Sequence, residues 1–223
     1  MSSADLGTVG GDMAREPGRR ELNKADKQRR IHKAARELFW TRGYASVTTQ
    51  EVADRAEVGT GTLFRYARSK GELLCMVAND DFRLMVDSLP DTGDPVEDLV
   101  QLCEPLVRAL ENQPDNVAAY HRETLFGEPG PHRDEAQRIL LDLRGRIAEV
   151  LARHSGGGAD PAHLIGPAQT VFDVMYMTIV RSGVRRAPDL DHRGELRAHV
   201  RRVLHGALAA ASESSPEPGS TSH

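Results

Sequence analysis

The stretch Val47–Leu74, VTTQEVADRAEVGTGTLFRYARSKGELL, decides the fold of the N-terminal region. Thr48 followed three residues later by Glu51 forms a capping box, which predicts that a helix begins at Thr48. Ala56-Glu57-Val58-Gly59 has the length and composition of the turn in a helix-turn-helix. A second short helix should open at Thr60, and the start of a third follows it. The pattern therefore predicts a helix-turn-helix.

The outward face of the second short helix suggests what the motif does. In a helix-turn-helix bound to DNA, this helix enters the major groove by its N-terminal residues. Polar and basic side chains are expected on that face: Thr60, Thr62, Arg65, Tyr66 and Lys70. A motif that serves only as a scaffold has no reason to expose such groups, so the pattern favours DNA binding. The alternative, a helical interaction protein that uses the motif as a scaffold, stays open.

The same region resembles the tetracycline-repressor (TetR) family of bacterial regulators over about 50 residues. The residues that match the family pattern are Ile31, Ala34, Ala35, Leu38, Phe39, Gly43, Tyr44, Val52, Ala53, Val58, Gly61, Leu63, Phe64, Ser69, Lys70, Glu72, Leu73 and Leu74. Two positions depart from it. Phe64 replaces the usual tyrosine and removes a hydroxyl, and Ala67 replaces the usual phenylalanine, so packing there must come from elsewhere.

The resemblance implies a fold, partners and DNA-contacting residues. The fold would be an N-terminal three-helix DNA-binding domain followed by a helical ligand-binding and dimerisation domain. The partners would be double-stranded DNA with a palindromic operator, a second copy of the chain and a small apolar effector. Residues near phosphates would be Thr48, Thr49, Phe64, Tyr66 and Lys70. Residues facing base edges would be Thr60, Gly61, Thr62 and Arg65. The expected function is a DNA-binding regulator, a repressor released by its effector.

The charge distribution supports a DNA-binding head. Residues 15–70 hold fourteen Lys and Arg against seven Asp and Glu, whereas residues 71–223 hold fifteen against twenty-four. The net charge of −4 conceals this division. A basic head attracts phosphates while an acidic body is repelled by them.

Proline and glycine separate helical patterns, and no segment alternates with a period of two, so we predict an all-α fold. The predicted domains are a disordered tail at 1–20, the helix-turn-helix domain at 21–68, the helical effector-binding and dimerisation domain at 69–211, and a disordered tail at 212–223. In the body, helices are predicted at about 69–89, 95–112, 116–126, from 132 to the Gly156–Gly158 run, 161–186 and 191–211. Asp94-Pro95 and Asp160-Pro161 each place a capping residue before a proline at the first helical position.

The last two helices carry a pattern typical of an interface. Val171–Val180 is apolar on nearly every face, with Asp173 and Thr178 as the exceptions, so it needs cover on two sides. This favours a homodimer joined by the helices at 161–186 and 191–211, although burial inside a monomer is an alternative. Asp173 either faces a ligand cavity or the dimer seam, or is hydrogen-bonded and structural.

Aromatic and sulfur-containing side chains on several helices of the body are candidates for an apolar effector pocket. They are Phe82, Cys103, Tyr120, Phe126, Phe172, Met175 and Tyr176. Core packing is the competing interpretation for each of them. Cys75 and Cys103 lie among apolar neighbours, which predicts reduced core thiols.

Motifs for catalysis are missing from the sequence. The nine histidines lack metal-ligand spacing, Gly59-Thr60-Gly61 is not a phosphate loop, and no Ser or Cys nucleophile motif occurs. We therefore expect no enzyme, no cofactor and no metal. No apolar run reaches the roughly 18 residues of a membrane span, and the N-terminus lacks an apolar signal stretch. These features predict a soluble, cytoplasmic protein with no membrane partner.

Overall fold

The computed structural model describes residues 18–155, 159–185 and 191–213. Over these residues the chain forms ten α-helices and no strand, so the all-α prediction is confirmed. The helices are α1 (Arg19–Arg42), α2 (Thr49–Arg55), α3 (Thr60–Leu63), α4 (Lys70–Asp87), α5 (Pro95–Leu102), α6 (Glu104–Asn112), α7 (Pro114–Phe126), α8 (Pro131–His154), α9 (Ile165–Arg185) and α10 (His192–Glu213). A 3₁₀ turn, Pro161–Leu164, leads into α9.

The first three helices form the head. Thr48 caps α2 by accepting the Glu51 N–H, and Glu51 reaches back to the Thr48 N–H, so the predicted capping box is confirmed. Ala56 closes α2 and Gly59 caps α3, as the predicted turn requires. The residue with positive φ in this turn is Glu57 (φ 54°) rather than the glycine. The turn therefore carries a conformation that non-glycine residues adopt at a cost.

Helix α4 joins the head to the body. Its N-cap is Ser69, whose Oγ accepts the Glu72 N–H at 2.9 Å. Every residue from Gly71 to Asn79 is buried, because α1, α7 and α8 all pack around this half of the helix. Each apolar side chain buried there, such as Leu74, contributes about 1.5–3 kcal/mol. A displacement of α4 within the body must therefore also move the head.

Two helices of the body differ from the prediction, one in where it breaks and one in where it begins. The segment predicted as one helix to about residue 112 is two helices, with Cys103 between them. Pro105 explains the break, since it has no N–H to donate into a continuing helix. Helix α7 begins at Pro114 rather than at residue 116. The predicted caps are confirmed at Asp94 and Asp160, whose side chains accept the N–H groups two residues on.

The helices at both ends extend into the predicted tails. Helix α1 begins at Arg19, because the Glu21 carboxylate accepts the Gly18 N–H at 3.1 Å and caps the first turn. Helix α10 continues to Glu213. The rest of both predicted tails, together with Gly156–Gly158 and residue 186, lies outside the described residues.

Both cysteines are free and buried, as predicted. Burial raises the pKa of the Cys75 and Cys103 thiols to about 12, so both stay protonated at neutral pH. Among the described helices, none is long and apolar enough to cross a bilayer.

Candidate functional site

Side-chain bonds hold α2 and α3 in a fixed relation. The Glu51 carboxylate accepts the Arg42 guanidinium at 2.7 Å and the Thr48 N–H at 2.8 Å. These donors, with Arg42 contributing most, lower the pKa of Glu51 to about 2. The Thr60 hydroxyl donates to the Gln50 side-chain oxygen at 2.7 Å and links the start of α3 to α2. The Glu51 bond to Arg42 thus ties α2 to the end of α1, and the Thr60 bond ties α2 to α3.

The residues predicted to contact DNA are exposed or half-buried, and Arg65, Tyr66 and Lys70 lie after the end of α3 at Leu63. Thr48, Gly61, Phe64 and Arg65 are exposed, while Thr49, Thr60, Thr62, Tyr66 and Lys70 are half-buried. By contrast, Leu63 and Ala67 are both buried in the head core. The alanine that departs from the TetR pattern thus packs directly against the other helices. No side chain is needed beyond it to close the core.

Arg65 differs from most of the arginines around it. Five arginines of the head are engaged by acidic groups of the protein: Arg29 and Arg30 with Asp26, Arg36 with Asp81, Arg42 with Glu51 and Arg55 with Glu37. The exposed Arg65 guanidinium has neither an ion pair nor a hydrogen bond within the described part of the chain. Its five N–H donors are therefore available to a ligand outside the protein.

Two predicted phosphate-contacting residues have partners within the protein. The Tyr66 hydroxyl donates to the Lys24 carbonyl of α1 at 3.2 Å. The Lys70 ammonium lies 4.2 Å from the centre of the Tyr44 ring, and partial burial lowers the pKa of Lys70. Lys70 is the first residue of α4, so its position is set by the junction between head and body. The phosphate roles of both residues stay predictions.

Polar contacts bind the head to the body along α4 and α8. The Arg36 guanidinium makes two bonds to the Asp81 carboxylate, at 2.7 and 2.9 Å. The His132 ring donates from Nε2 to the Tyr66 carbonyl at 2.9 Å. The first pair links α1 to α4, and the second links the segment after α3 to α8. The orientation of the head is therefore fixed by groups that belong to the body.

Two amide side chains from α7 and its cap hold the C-terminal end of α1. Asn116 Nδ2 donates to the Phe39 carbonyl at 2.8 Å, and Gln113 Nε2 donates to the Trp40 carbonyl at 3.0 Å. The Phe39 carbonyl also accepts the Gly43 N–H at 3.0 Å, so Asn116 adds a second donor there. The Trp40 carbonyl is one of the last carbonyls of the helix, which lack partners within it, and Gln113 supplies its donor. Gly43 ends α1 with φ 76°, and a Cβ there would lie 3.0 Å from the Gln113 side-chain oxygen.

A groove of about 700 Å³ opens beside these two amides. This volume is in the range of small-molecule sites. Its wall combines one head residue, Trp40, with residues of the body from α4, α6 and α7 and the segments beside them. The lining residues are Trp40, Asp81, Phe82, Leu84, Met85, Ser88, Gln101, Glu104, Pro105, Arg108, Ala109, Asn112, Gln113 and Asn116.

A second cleft, of about 490 Å³, lies between α7, α8 and α9. It is lined by Thr124, Leu125, Gln137, Leu140, Leu141, Arg144, Gln169, Phe172, Asp173 and Tyr176. Asp173 is exposed there and accepts a hydrogen bond from Gln169 at 2.7 Å. This cleft does not touch the head, so it is the less direct place from which to move it.

The seven residues predicted for an effector pocket do not share one cavity. Phe82 lines the groove beside Trp40, whereas Phe172 and Tyr176 line the second cleft. Cys103, Tyr120 and Met175 are buried in the core. Phe126 lies on the surface and is 82% exposed. Composition identified suitable side chains but not the helix faces on which they lie. Trp40, Gln113 and Asn116 were missed, because nothing in their local sequence marks contact between α1 and α7.

Helix α9 leaves two large apolar side chains exposed. Val171 and Met175 are buried against the protomer, whereas Met177 is 55% and Val184 is 68% exposed. Val203 and Leu208 of α10 are half-buried and pack against the core. The outer side of α9 is therefore mixed, because Asp173 and Arg181 are exposed along with Met177 and Val184.

Comparisons with known proteins show which proteins the head and most of the chain resemble. The model of the family described as "Bacterial regulatory proteins, tetR family" matches residues 31–75. The HTH-type transcriptional repressor KstR of Rhodococcus jostii (strain RHA1) is 26% identical over 183 residues, which cover 80% of this chain and 83% of that protein. The HTH-type regulator YvkB of Bacillus subtilis (strain 168) is 31% identical over 140 residues, covering 60% of this chain and 74% of YvkB.

A solved structure extends the similarity to the body. Thermus thermophilus FadR, a TetR-family repressor in complex with lauroyl-CoA, has a TM-score of 0.61 and 27% identity, covering 86% of this chain and 99% of that one. The helix-turn-helix head, the helical body and the similarity to these regulators all indicate the same family. The chain belongs to the TetR family of bacterial transcriptional regulators.

Proposed function

We propose that this protein is a repressor that binds a palindromic operator as a homodimer and leaves it when a small, largely apolar molecule binds to the body. KstR is named a repressor, and FadR was crystallised in complex with lauroyl-CoA. The observation that carries the proposal is the exposed, unpaired Arg65 on a head whose orientation is set by contacts with the body.

The head reads DNA through base and phosphate contacts. Arg65 forks onto a guanine, with Thr60 and Thr62 beside it at the base edges. Gly61 has no side chain, so it lets α3 approach the DNA closely. A Cβ there would meet no protein atom within 4 Å, so packing within the protein does not require the glycine. The phosphate-contacting set is Thr48, Thr49, Phe64, Tyr66 and Lys70. Phosphate contacts position the protein while base contacts specify the sequence.

Dimerisation occurs through α9 and α10. One recognition helix reads too few base pairs for useful affinity, whereas two related by a dyad read a palindrome. The exposed Met177 and Val184 provide an apolar surface that a second copy would cover, with Val203 and Leu208 at its edge. A two-fold contact of this kind is self-complementary, so the same residues serve both protomers.

The effector binds in the groove that Trp40 and Phe82 share. A ligand there lies between α1 and the body, so its presence changes the distance between them. It releases DNA only if it binds the DNA-free arrangement more tightly, and a coupling of about 1–3 kcal/mol is ordinary for such a switch.

Selection from randomised duplexes tests the DNA-binding part. The unmodified protein should enrich a palindrome whose half-sites are one helical turn, or a multiple, apart. Sedimentation at micromolar concentration should give a dimer. A monomer, or enrichment of no sequence, would overturn the proposed function. The effector part is tested by adding apolar compounds to the complex with the selected operator and measuring its dissociation.

A further inference from the structure

Asn116 contains a buried hydrogen-bond acceptor without a partner. The residue is 4% exposed, and its Nδ2 is bound to the Phe39 carbonyl. Its Oδ1 is buried and accepts no hydrogen bond within the described part of the chain. Buried polar atoms are nearly always paired, so an exception calls for a reason. Asn116 lines the groove beside Trp40, where a ligand can supply the missing donor.

The charged groups of this groove are already neutralised. Both carboxylate oxygens of Asp81 accept hydrogen bonds from Arg36 Nη2. Glu104 accepts bonds from Arg108 at 2.9 Å and from Arg193 at 2.6 Å. In the described lining, Arg108 is the only cationic side chain, and it is the one paired with Glu104. A ligand anion would therefore meet carboxylates and an amide oxygen rather than an available cation.

The uncharged part of the wall combines apolar side chains with five polar ones: Ser88, Gln101, Asn112, Gln113 and Asn116. Its apolar lining residues are Trp40, Phe82, Leu84, Met85, Pro105 and Ala109. Apolar walls with a few placed polar groups are typical of small-molecule sites, where the polar groups fix orientation. The Asn116 oxygen is such a group.

We propose that the effector is an uncharged, largely apolar molecule carrying a hydroxyl or N–H group, and that this donor binds Asn116 Oδ1. The role of this molecule as an effector rests on the proposed function. The preference for an uncharged donor depends only on the residues that line the groove. A carboxylate cannot replace the donor, because an ionised acid has only acceptors. An ether of the same skeleton lacks the proton as well.

The contact explains how occupancy reaches the DNA-binding surface. The same Asn116 amide holds the Phe39 carbonyl, and Gln113 holds the next carbonyl of α1. Helix α1 passes through Gly43 and a short loop to the Thr48 cap of α2. A ligand that draws the amide toward the groove loosens the end of α1 and shifts α2 and α3 with it.

The test uses three matched compounds, 1-decanol, decyl methyl ether and decanoic acid, and the cyclododecane analogues of all three. Trp40 is the single tryptophan and lines the groove, so its fluorescence reports occupancy. In at least one set, the alcohol should bind about tenfold more tightly than the ether, the effect of one hydrogen bond to a buried acceptor. The acid should bind more weakly than the alcohol.

Variants assign the preference to one residue. Asn116→Ala should reduce the alcohol-to-ether ratio to about one, whereas Asn112→Ala, a matched amide on the exposed rim of the same groove, should leave it at about tenfold. If Asn116→Ala does not fold, Ala109→Phe fills the groove without touching the amide and should abolish binding of the alcohol.

Three results would overturn the proposal: an ether that binds as tightly as its alcohol, an acid that binds most tightly, or no change of Trp40 fluorescence with any of the six compounds. Operator release is measured separately with the same compounds. An alcohol that binds selectively but leaves operator affinity unchanged removes the effector role. Failure of the unliganded protein to bind any operator would overturn the proposed function and leave the binding preference unaffected.

Discussion

Replacement of Arg65 by alanine tests the DNA-reading surface most directly. The side chain is exposed and has no partner among the described residues, so its loss should change the free energy of unfolding by less than about 0.5 kcal/mol. Any change in DNA binding then reports on the contact with DNA. The neighbouring Leu63, which is buried, stays in place and keeps α3 folded.

The size of the effect follows from the dimer. A bidentate arginine–guanine pair discriminates against the wrong base by about 1–3 kcal/mol. Two symmetry-related Arg65 side chains would double this to about 2–6 kcal/mol on a palindrome. At 1.4 kcal/mol per tenfold change, Arg65→Ala should weaken operator binding by roughly 30-fold to 10⁴-fold. Binding to unrelated DNA should weaken far less.

The assay is fluorescence anisotropy with the selected operator and with duplexes in which single base pairs of both half-sites are exchanged. Arg65→Lys keeps the charge but not the planar fork, so it should retain non-specific affinity and lose most of the discrimination. Arg55→Ala is the matched control, since Arg55 is an exposed arginine of the head that is engaged by Glu37. It should leave the preference among duplexes unchanged.

One pattern of results would refute the reasoning. If Arg65→Ala weakened all duplexes equally and preserved the ranking of base exchanges, Arg65 would be a phosphate contact and not a reader of bases. The same conclusion would follow if Arg65→Lys behaved as the unmodified protein at every base pair.

Three further predictions concern other parts of the molecule. Introducing Glu at both Met177 and Val184 should give folded monomers, detected by sedimentation, that no longer bind the operator. Glu at the exposed Leu22 of α1 is the control and should leave the protein dimeric. A double variant that remains dimeric would contradict the proposed interface. Burial lowers the pKa of His121 to about 4 from its ordinary 6.5, so the unfolded chain takes up its proton first and stability is lost as pH falls from 6.5 toward 4, by about 3 kcal/mol. Urea unfolding at pH 7 and 4.5 should show this loss in the unmodified protein and not in His121→Phe; equal losses in both would assign it elsewhere. Lys70→Ala should weaken all DNA sequences alike and lower the salt slope by about one per phosphate contact removed, and an unchanged slope would mean that Lys70 serves only to stack on the protein.

Local sequence patterns were sufficient to predict the helix-turn-helix of the head. The capping box at Thr48, the turn at 56–59 and the spacing of apolar residues predicted α2, the turn and the start of α3, because caps and short helices depend on neighbours within four residues. The same locality explains the correct caps at Asp94 and Asp160. It also explains the error at Cys103, where apolar periodicity outweighed the proline two residues on.

The sequence did not predict which residues line the groove. Whether an aromatic residue faces a cavity or the core depends on which helices pack beside it, and that is set by contacts far apart in the chain. Asn116 and Phe39 are 77 positions apart, yet their hydrogen bond joins the body to the head. Tyr120, predicted as a pocket residue, is buried and packs edge to face against Phe82, with ring centres 4.7 Å apart, whereas Phe82 also lines the groove.

The sequence by itself therefore determined the helical class, the DNA-binding motif, the basic head and the apolar composition of Val171–Val180 in α9, since each depends on residue type and local period. Only the tertiary structure decided that Arg36, Arg42 and Arg55 are engaged by acidic partners on other helices while Arg65 is not. It also decided that the amide of Asn116 lies between the end of α1 and an open groove. Pairing of charges and formation of cavities arise when distant helices meet, and no local pattern encodes which side chains will then be left without a partner.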